Sequence, residues 1–436
     1  LVAPAPAPAA DELGALRREL DELRRQNAAL QEQLAAQRGW IDTLQRQVAD
    51  LQGADRAQAE DLRALQAQAG NAAGEEPRDR GLFASPRQLG NVVLSGEAGL
   101  SFFDSQAEGQ FANSEFRVDE AKLFLDAKVF EDVYCFIELN LTLRESPNED
   151  VSLGEVYVDF ENVSKLWGRE RWLNVRVGRL DIPFGEEYRV RDAIDNPLVS
   201  HSLSDLWGVD EGIELYGELG RVRYVVAVQN GGHPALRDFN ADKSVAGRVS
   251  YEPTAWLYTS LSAMRTGALH PVDDQFSELW FGNGFVRSLG KPETTSAFAA
   301  EVFEADVQGR WRTGHLKAAG GYLRYDDDDR AADNRRDVFY YYVEGVQQLN
   351  AQLYAAARVS QVFARDGFPL VGNGSFGRYQ FRELTEELWR LSLGLGYRFS
   401  RHLVLKAEYS VNGGEDLGGG RRRGESFFAL QAAAGF

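Results

Sequence analysis

The chain has 436 residues, a formal net charge of −18, 43 glycines and 11% aromatic residues. That acidity argues against nucleic acid as a partner. No stretch approaches the ~20 apolar residues of a spanning helix, which excludes a helical membrane protein but not a β-barrel, where inward polar residues dilute the apolar signal. The single Cys135 sits in an apolar alternation, with no second cysteine for a disulfide or a metal cluster.

Residues 1–12 are rich in Pro and Ala and read as an extended segment. The chain begins at Leu1, with neither Met nor a charged-then-apolar leader, as expected of a mature form after signal-peptide removal. From Leu13 a heptad runs without a phase break. Leu13, Leu20, Asn27, Leu34, Ile41, Val48, Asp55 and Leu62 occupy a, and Leu16, Leu23, Leu30, Gln37, Leu44, Leu51, Gln58 and Leu65 occupy d. This pattern predicts a parallel α-helical coiled coil over 13–67, about 80 Å long at 1.5 Å per residue. A helix this narrow-seamed must self-associate, and its polar seam residues (Asn27, Gln37, Asp55, Gln58) leave dimer and trimer both open. Residues 68–90 carry Gly, Asn and Pro and read as a linker.

Beyond the linker the period changes to two. Sixteen strands are expected, near 91–104, 115–130, 132–145, 151–162, 171–183, 208–219, 221–230, 242–252, 255–267, 295–313, 314–326, 336–349, 351–364, 384–399, 401–412 and 424–436. Their connections alternate. Short turns fall at 131–132, 220, 252–254, 313–314, 349–350 and 400–401; long ones fall near 105–114, 184–207, 231–241, 268–294, 327–335, 365–383 and 413–423. The stretch 162–170 is of intermediate length. An even strand count with short turns at one rim and long loops at the other predicts an all-β transmembrane barrel over 91–436. The last strand fits: Phe428, Leu430, Ala432, Ala434 and Phe436 share one face, and Ala429, Gln431, Ala433 and Gly435 the other. Bacterial outer-membrane barrels end on Phe or Trp, and Phe436 resembles that assembly signal. Both termini then lie at the periplasmic rim, with the coiled coil in the periplasm and the barrel in outer-membrane lipid.

One segment is more specific. Residues 175–185 read VRVGRLDIPFG, a long connection follows, and the next strand reads VDEGIELYGELG. This resembles the phosphate-selective porin O/P family, in which V-G-x-x-x-x-P-F-G leads into a long loop; residues 116–130 resemble that family's early strand. The resemblance implies a homotrimeric porin whose loop 186–207 folds into the lumen as a constriction, and a basic row on the lumen wall. The loop's Ile194, Leu198, Val199, Leu203 and Leu206 agree, because such residues need a wall to pack on. Alternation points Lys122, Lys128, Arg144, Arg176, Arg248, Arg310, Arg312, Lys317, Arg358, Arg390, Arg398 and Lys406 inward. It does the same for Asp126, Glu138, Glu155, Asp159, Glu214, Glu218, Glu304, Asp306, Glu344 and Glu408. The candidate pore-lining and constriction residues are Arg144, Arg176, Arg189, Arg191, Asp192, Asp195, His201, Arg358, Arg390 and Arg398. A mixed set of charges leaves the sign of selectivity open.

No catalytic or metal-ligand motif is present, so neither enzymatic activity nor a cofactor nor a metal centre is expected; the acidic run Asp326–Asp329 reads as a solvated outer loop, with attraction of Ca²⁺ or Mg²⁺ as the alternative. The function expected is passive diffusion of ions and small hydrophilic solutes. The alternative is a structural tether, with the barrel as anchor and the coiled coil reaching peptidoglycan or another cell-wall polymer. Deleting residues 1–80 discriminates: a porin keeps conducting, whereas a tether loses co-sedimentation with the cell wall.

Overall fold

The computed structural model describes residues 87–89, 91–109, 111–142, 151–206, 208–231, 238, 241–269, 295–331, 333–368 and 385–436. The expected coiled coil with its seam, most of the linker, and Arg144 lie outside these residues.

The described strands are β1 (Arg87–Leu89), β2 (Val92–Ser105), β3 (Glu115–Phe130), β4 (Val133–Thr142), β5 (Ser152–Phe160), β6 (Asn174–Asp181), β7 (Val209–Leu219), β8 (Val222–Gln229), β9 (Ser244–Thr254), β10 (Leu257–Arg265), β11 (Phe298–Trp311), β12 (Gly314–Asp327), β13 (Arg336–Gln348), β14 (Leu353–Phe368), β15 (Thr385–Ser400), β16 (Leu403–Asp416), β17 (Arg421–Arg422) and β18 (Phe427–Gly435). Each long strand pairs antiparallel with its sequence neighbours, and β18 pairs with β2, so the sheet closes on itself. Apart from the short β1 and β17, sixteen strands form the barrel, as the alternation predicts. Among the described residues, closure leaves no long strand without a partner on either side. At the seam Phe436 N–H donates to Gly96 O at 2.9 Å, and Gly96 N–H returns a bond to Phe436 O at 3.3 Å.

The two faces separate as period two demands. Leu261, Leu393, Leu430, Val226 and Val343 are exposed on the outer face, while Arg390, Ser392, Lys406, Glu408 and Gln431 are buried inside. Exposed aromatics gather at the short-turn rim (Phe130, Trp172, Trp256, Trp311, Phe399, Phe436) and towards the opposite rim (Phe116, Phe339, Phe363, Trp389). A continuous apolar belt of this extent is far larger than a soluble monomer presents to water.

Three expectations change at the strand ends. The connection expected over 413–423 contracts to the turn after Asp416, because β16 runs on and folds back through β17. Gly413 and Gly414 interrupt the apolar period, which is why they read as loop. Yet Gly413 lies under Trp389, where an added Cβ would meet the indole at 2.5 Å. Pro253 belongs to β9, moving the expected 252–254 turn to residues 255–256. The intermediate connection after β5 holds a short 3-10 helix, Val163–Trp167.

Candidate functional site: a loop held inside the barrel

The connection from β6 to β7 does not stay at the rim. Ile182 N–H donates to Gly208 O at 2.8 Å, joining its two ends, and between them the chain crosses the lumen. The crossing starts at Gly185, whose φ of 69° is left-handed and whose missing Cβ leaves room for Glu304 Oε1, 2.6 Å from where it would stand. Gly185 N–H donates to Ser262 Oγ at 3.0 Å, and its carbonyl accepts from Arg248 at 2.6 Å.

A loop inside a barrel has backbone groups with no ladder partner, and each buried one left unpaired costs about 1–3 kcal/mol. The wall supplies the partners. Lys406 Nζ donates to the carbonyls of Ala193, Leu198 and Asn196 at 2.7, 3.0 and 3.1 Å. Glu408 accepts from Val199 N–H at 2.6 Å, Ser200 N–H at 2.8 Å and Ser200 Oγ at 2.5 Å. Arg358, paired with Glu344, donates to Ser200 O at 2.7 Å and Asn196 Oδ1 at 3.1 Å. Arg390 bonds Asn412 at 2.8 Å and reaches His201 O at 3.3 Å; Arg398 donates to Ile194 O at 3.2 Å. Tyr354 OH donates to Pro197 O at 3.0 Å, and Leu203 N–H donates to Ser360 Oγ at 3.2 Å.

Apolar anchors fill the gaps between these bonds. Leu203 and Leu206 join a buried cluster with Phe298, Val302, Leu323 and Leu388. Leu198 packs with Tyr354, Ala356, Val404 and Ala433, over Gly394, where an added Cβ would stand 2.4 Å from its Cδ2. Val199 sits with Phe103, Phe111 and Phe427.

The loop also carries its own charge network. Asp205, fully buried, accepts from Arg191 Nε at 2.8 Å and lies 3.1 Å from His201 Nδ1. Burial opposes its ionisation, but Arg191 and His201 outweigh that and hold its carboxyl well below the usual range. Burial, and then the Asp205 charge, push Glu187 up to about 7, although it accepts from Ser202 N–H at 2.8 Å. Asp192 pairs with Lys122 of β3 at 2.5 Å, which lowers its pKa against the opposing effect of burial. Burial and Asp192 raise that of Asp195.

Towards the short-turn rim the loop borders two cavities. One, of about 630 Å³, is lined by the cations Arg189, Arg310, Arg312, Lys317 and Arg398, with His315, against the carboxylates Glu186, Asp195 and Asp306. The other, of about 410 Å³, is lined by Arg171, Arg176, Arg189, Arg223 and Arg248 against Glu161, Glu214 and Glu218. Five cations thus face three acids in each, in a chain whose net charge is −18. Arg189 borders both cavities, paired with Glu186 at 2.9 Å. Arg176 lies between the rings of Tyr157 and Tyr216, 5.0 and 4.4 Å from their centroids, and bonds Asp159 at 2.8 Å and Glu214 at 3.2 Å.

The sequence-derived candidates therefore divide by environment. Arg358 and Arg390 are buried against the loop, and Arg191 and His201 lie within its network. Asp192 ties the loop to β3, while Arg176, Arg189, Asp195 and Arg398 line open space. Alternation marks Lys406 and Glu408 as inward but not as the groups that grip the loop. Ser262 and Ser360 carry no signal at all. The run Asp326–Asp329, expected as loop, begins within β12, which ends at Asp327; Asp327 accepts from Thr295 Oγ1 at 2.6 Å, and Asp328 from Ser296 N–H at 2.8 Å.

No protein-family model matches the chain, and no curated sequence does. Solved structures do match. OmpT, an outer membrane protein of Vibrio cholerae, superposes with a TM-score of 0.53 at 12% identity, over 81% of this chain and all of its own. A trimer form of that protein superposes with a TM-score of 0.52 at 12% identity, over 79% of this chain and 99% of its own. The outer membrane channel DcaP of Acinetobacter baumannii gives 0.53 at 12% identity, over 79% of this chain and 97% of its own. An anion-selective porin from Comamonas acidovorans gives 0.51 at 11%, over 79% of this chain and 99% of its own. Residues 87–436 thus share the barrel fold of bacterial outer-membrane channels and porins.

Proposed function

We propose that the chain is an outer-membrane porin that passes small hydrophilic solutes down their gradient, with a preference for anions. The observation that carries this reading is the loop pinned across the lumen, bordering cavities where five cations face three acids. A wall of one dominant sign enriches the opposite ion. The inward acids that make the sequence look balanced are partly withdrawn from solute, since Glu344 and Glu408 are buried on Arg358 and on the loop backbone. The apolar outer belt and its aromatic rims fit a bilayer. We carry the constriction role of loop 186–207 and a homotrimeric assembly as part of the proposal; the latter is supported by the heptads of 13–67 and the trimer form of the Vibrio protein. The motif at 175–185 supports kinship with the phosphate-selective porins in the layout of this loop.

Reversal potential in a salt gradient across a planar bilayer tests this. A shift towards the anion equilibrium potential is expected; a shift towards the cation potential would overturn the selectivity, and silence after verified insertion would overturn the porin itself.

A further inference from the structure

A group of carboxylates stands where the loop meets the wall on the side of β2 and β3. One oxygen each of Glu97, Glu120 and Asp192 lies within 4.8 Å of the other two. Glu97 comes from β2, Asp192 from the lumen loop, and Glu120 from β3 next to a β-bulge, where the register slips between Gly99 and Leu100. The bulge makes Asp119 the extra residue, so that it and Glu120 both turn inwards.

Lys122 supplies the counter-charge, and its contacts are accounted for. Its Nζ lies 2.5 Å from Asp192, 3.0 Å from Glu120 and 3.6 Å from Glu138. It donates a hydrogen bond to Asp192 and stands near Glu120 and Glu138 as an ion pair. Glu97 is 8% exposed and Glu120 4%. Four carboxylates thus crowd round Lys122 in a largely dry place, where an uncompensated charge is costly. Asp192, whose side chain is 39% exposed, is the open side through which an ion would enter.

We propose that Glu97, Glu120 and Asp192 bind a divalent cation, Ca²⁺, which staples the lumen loop to the barrel wall. The donors are all hard carboxylate oxygens. They are close enough for one ion with bonds of about 2.3–2.6 Å to touch all three, and they come from three separate segments, which suits the adaptable coordination of calcium better than the strict octahedron of magnesium. The ion would bring the charge of the group close to balance and make the docking of the loop depend on calcium.

The test uses the full chain, purified in detergent, stripped with a chelator and titrated calorimetrically with CaCl₂. One saturable calcium per chain is expected in the wild type, weakened at least tenfold in Glu97→Gln and in Asp192→Asn. Both variants remove negative charge from a buried site, and heat-modifiable migration on gels reports that they fold. Calcium is also expected to slow proteolytic cleavage within 186–207 in the wild type but not in Asp192→Asn. Equal calcium binding by wild type and both variants would overturn the proposal. So would the absence of any saturable binding, which would mean that Glu97 holds a proton there instead. The assay reads binding, so its failure is distinct from failure of the barrel to conduct.

Discussion

Replacing Lys406 with methionine is expected to raise single-channel conductance severalfold and make it noisy, while the barrel still folds. Lys406 is buried, and its three donors reach three consecutive stretches of the loop tip, at Ala193, Asn196 and Leu198. Methionine fills a similar volume and donates nothing. Three carbonyls then lose partners where little else can satisfy them, at about 1–3 kcal/mol each. That sum is comparable to what holds one surface segment in place, and small beside a closed ladder of sixteen strands. The ladder itself should be indifferent: the β15–β16 and β16–β18 pairings run through backbone groups and do not use the Lys406 amine. Glu408 sits two residues along on the same inner face and holds the adjoining Val199 and Ser200, so Glu408→Gln should produce the same effect more weakly. Wild-type conductance and noise in Lys406→Met would mean that loop 186–207 does not limit the pore.

The barrel was legible in the sequence because a closed antiparallel sheet writes its geometry into the chain twice. The period-two alternation gives the strands, and turn lengths give the rims. All sixteen long strands, and the sorting of short and long connections, follow from those two signals. The departures have local causes. At Gly413 and Gly414 the residues demanded by Trp389 overhead break the apolar period. At Asp119 a bulge reverses parity, so that Phe116 and Val118 face out while Glu120 and Lys122 face in.

The loop's inward course was foreshadowed by its leucines, but its fastenings were not. Lys406 meets Ala193 across more than two hundred residues, and nothing in one chain's composition reports a contact of that range. The same limit explains the charge balance. Counting inward residues gives a near-even mixture, and only the geometry separates carboxylates withdrawn onto the loop, such as Glu408, from cations that line open cavities, such as Arg312.

That separation gives the second large effect. Arg189→Glu is expected to abolish most of the anion preference in one substitution. Arg189 is half-exposed and borders both cavities, so reversing it takes each lining from five cations and three acids to four of each. No other cation of the two linings except Arg189 is shared between them. The reversal potential should therefore collapse towards zero, with Arg189→Gln falling between the two. The shift should be larger in dilute salt than at 1 M, where the screening length falls to about 3 Å. Conductance itself should change little, because Arg189 pairs with Glu186 and, among the described residues, none of the loop's bonds to the wall passes through it. Glutamate at 189 would stand beside Glu186, adding repulsion in a stretch that Glu187 and Ser202 still hold down. A reversal potential that stays at the wild-type value would place the charge filter elsewhere in the lumen, and the basic lining of these two cavities would then have no part in selecting the ion.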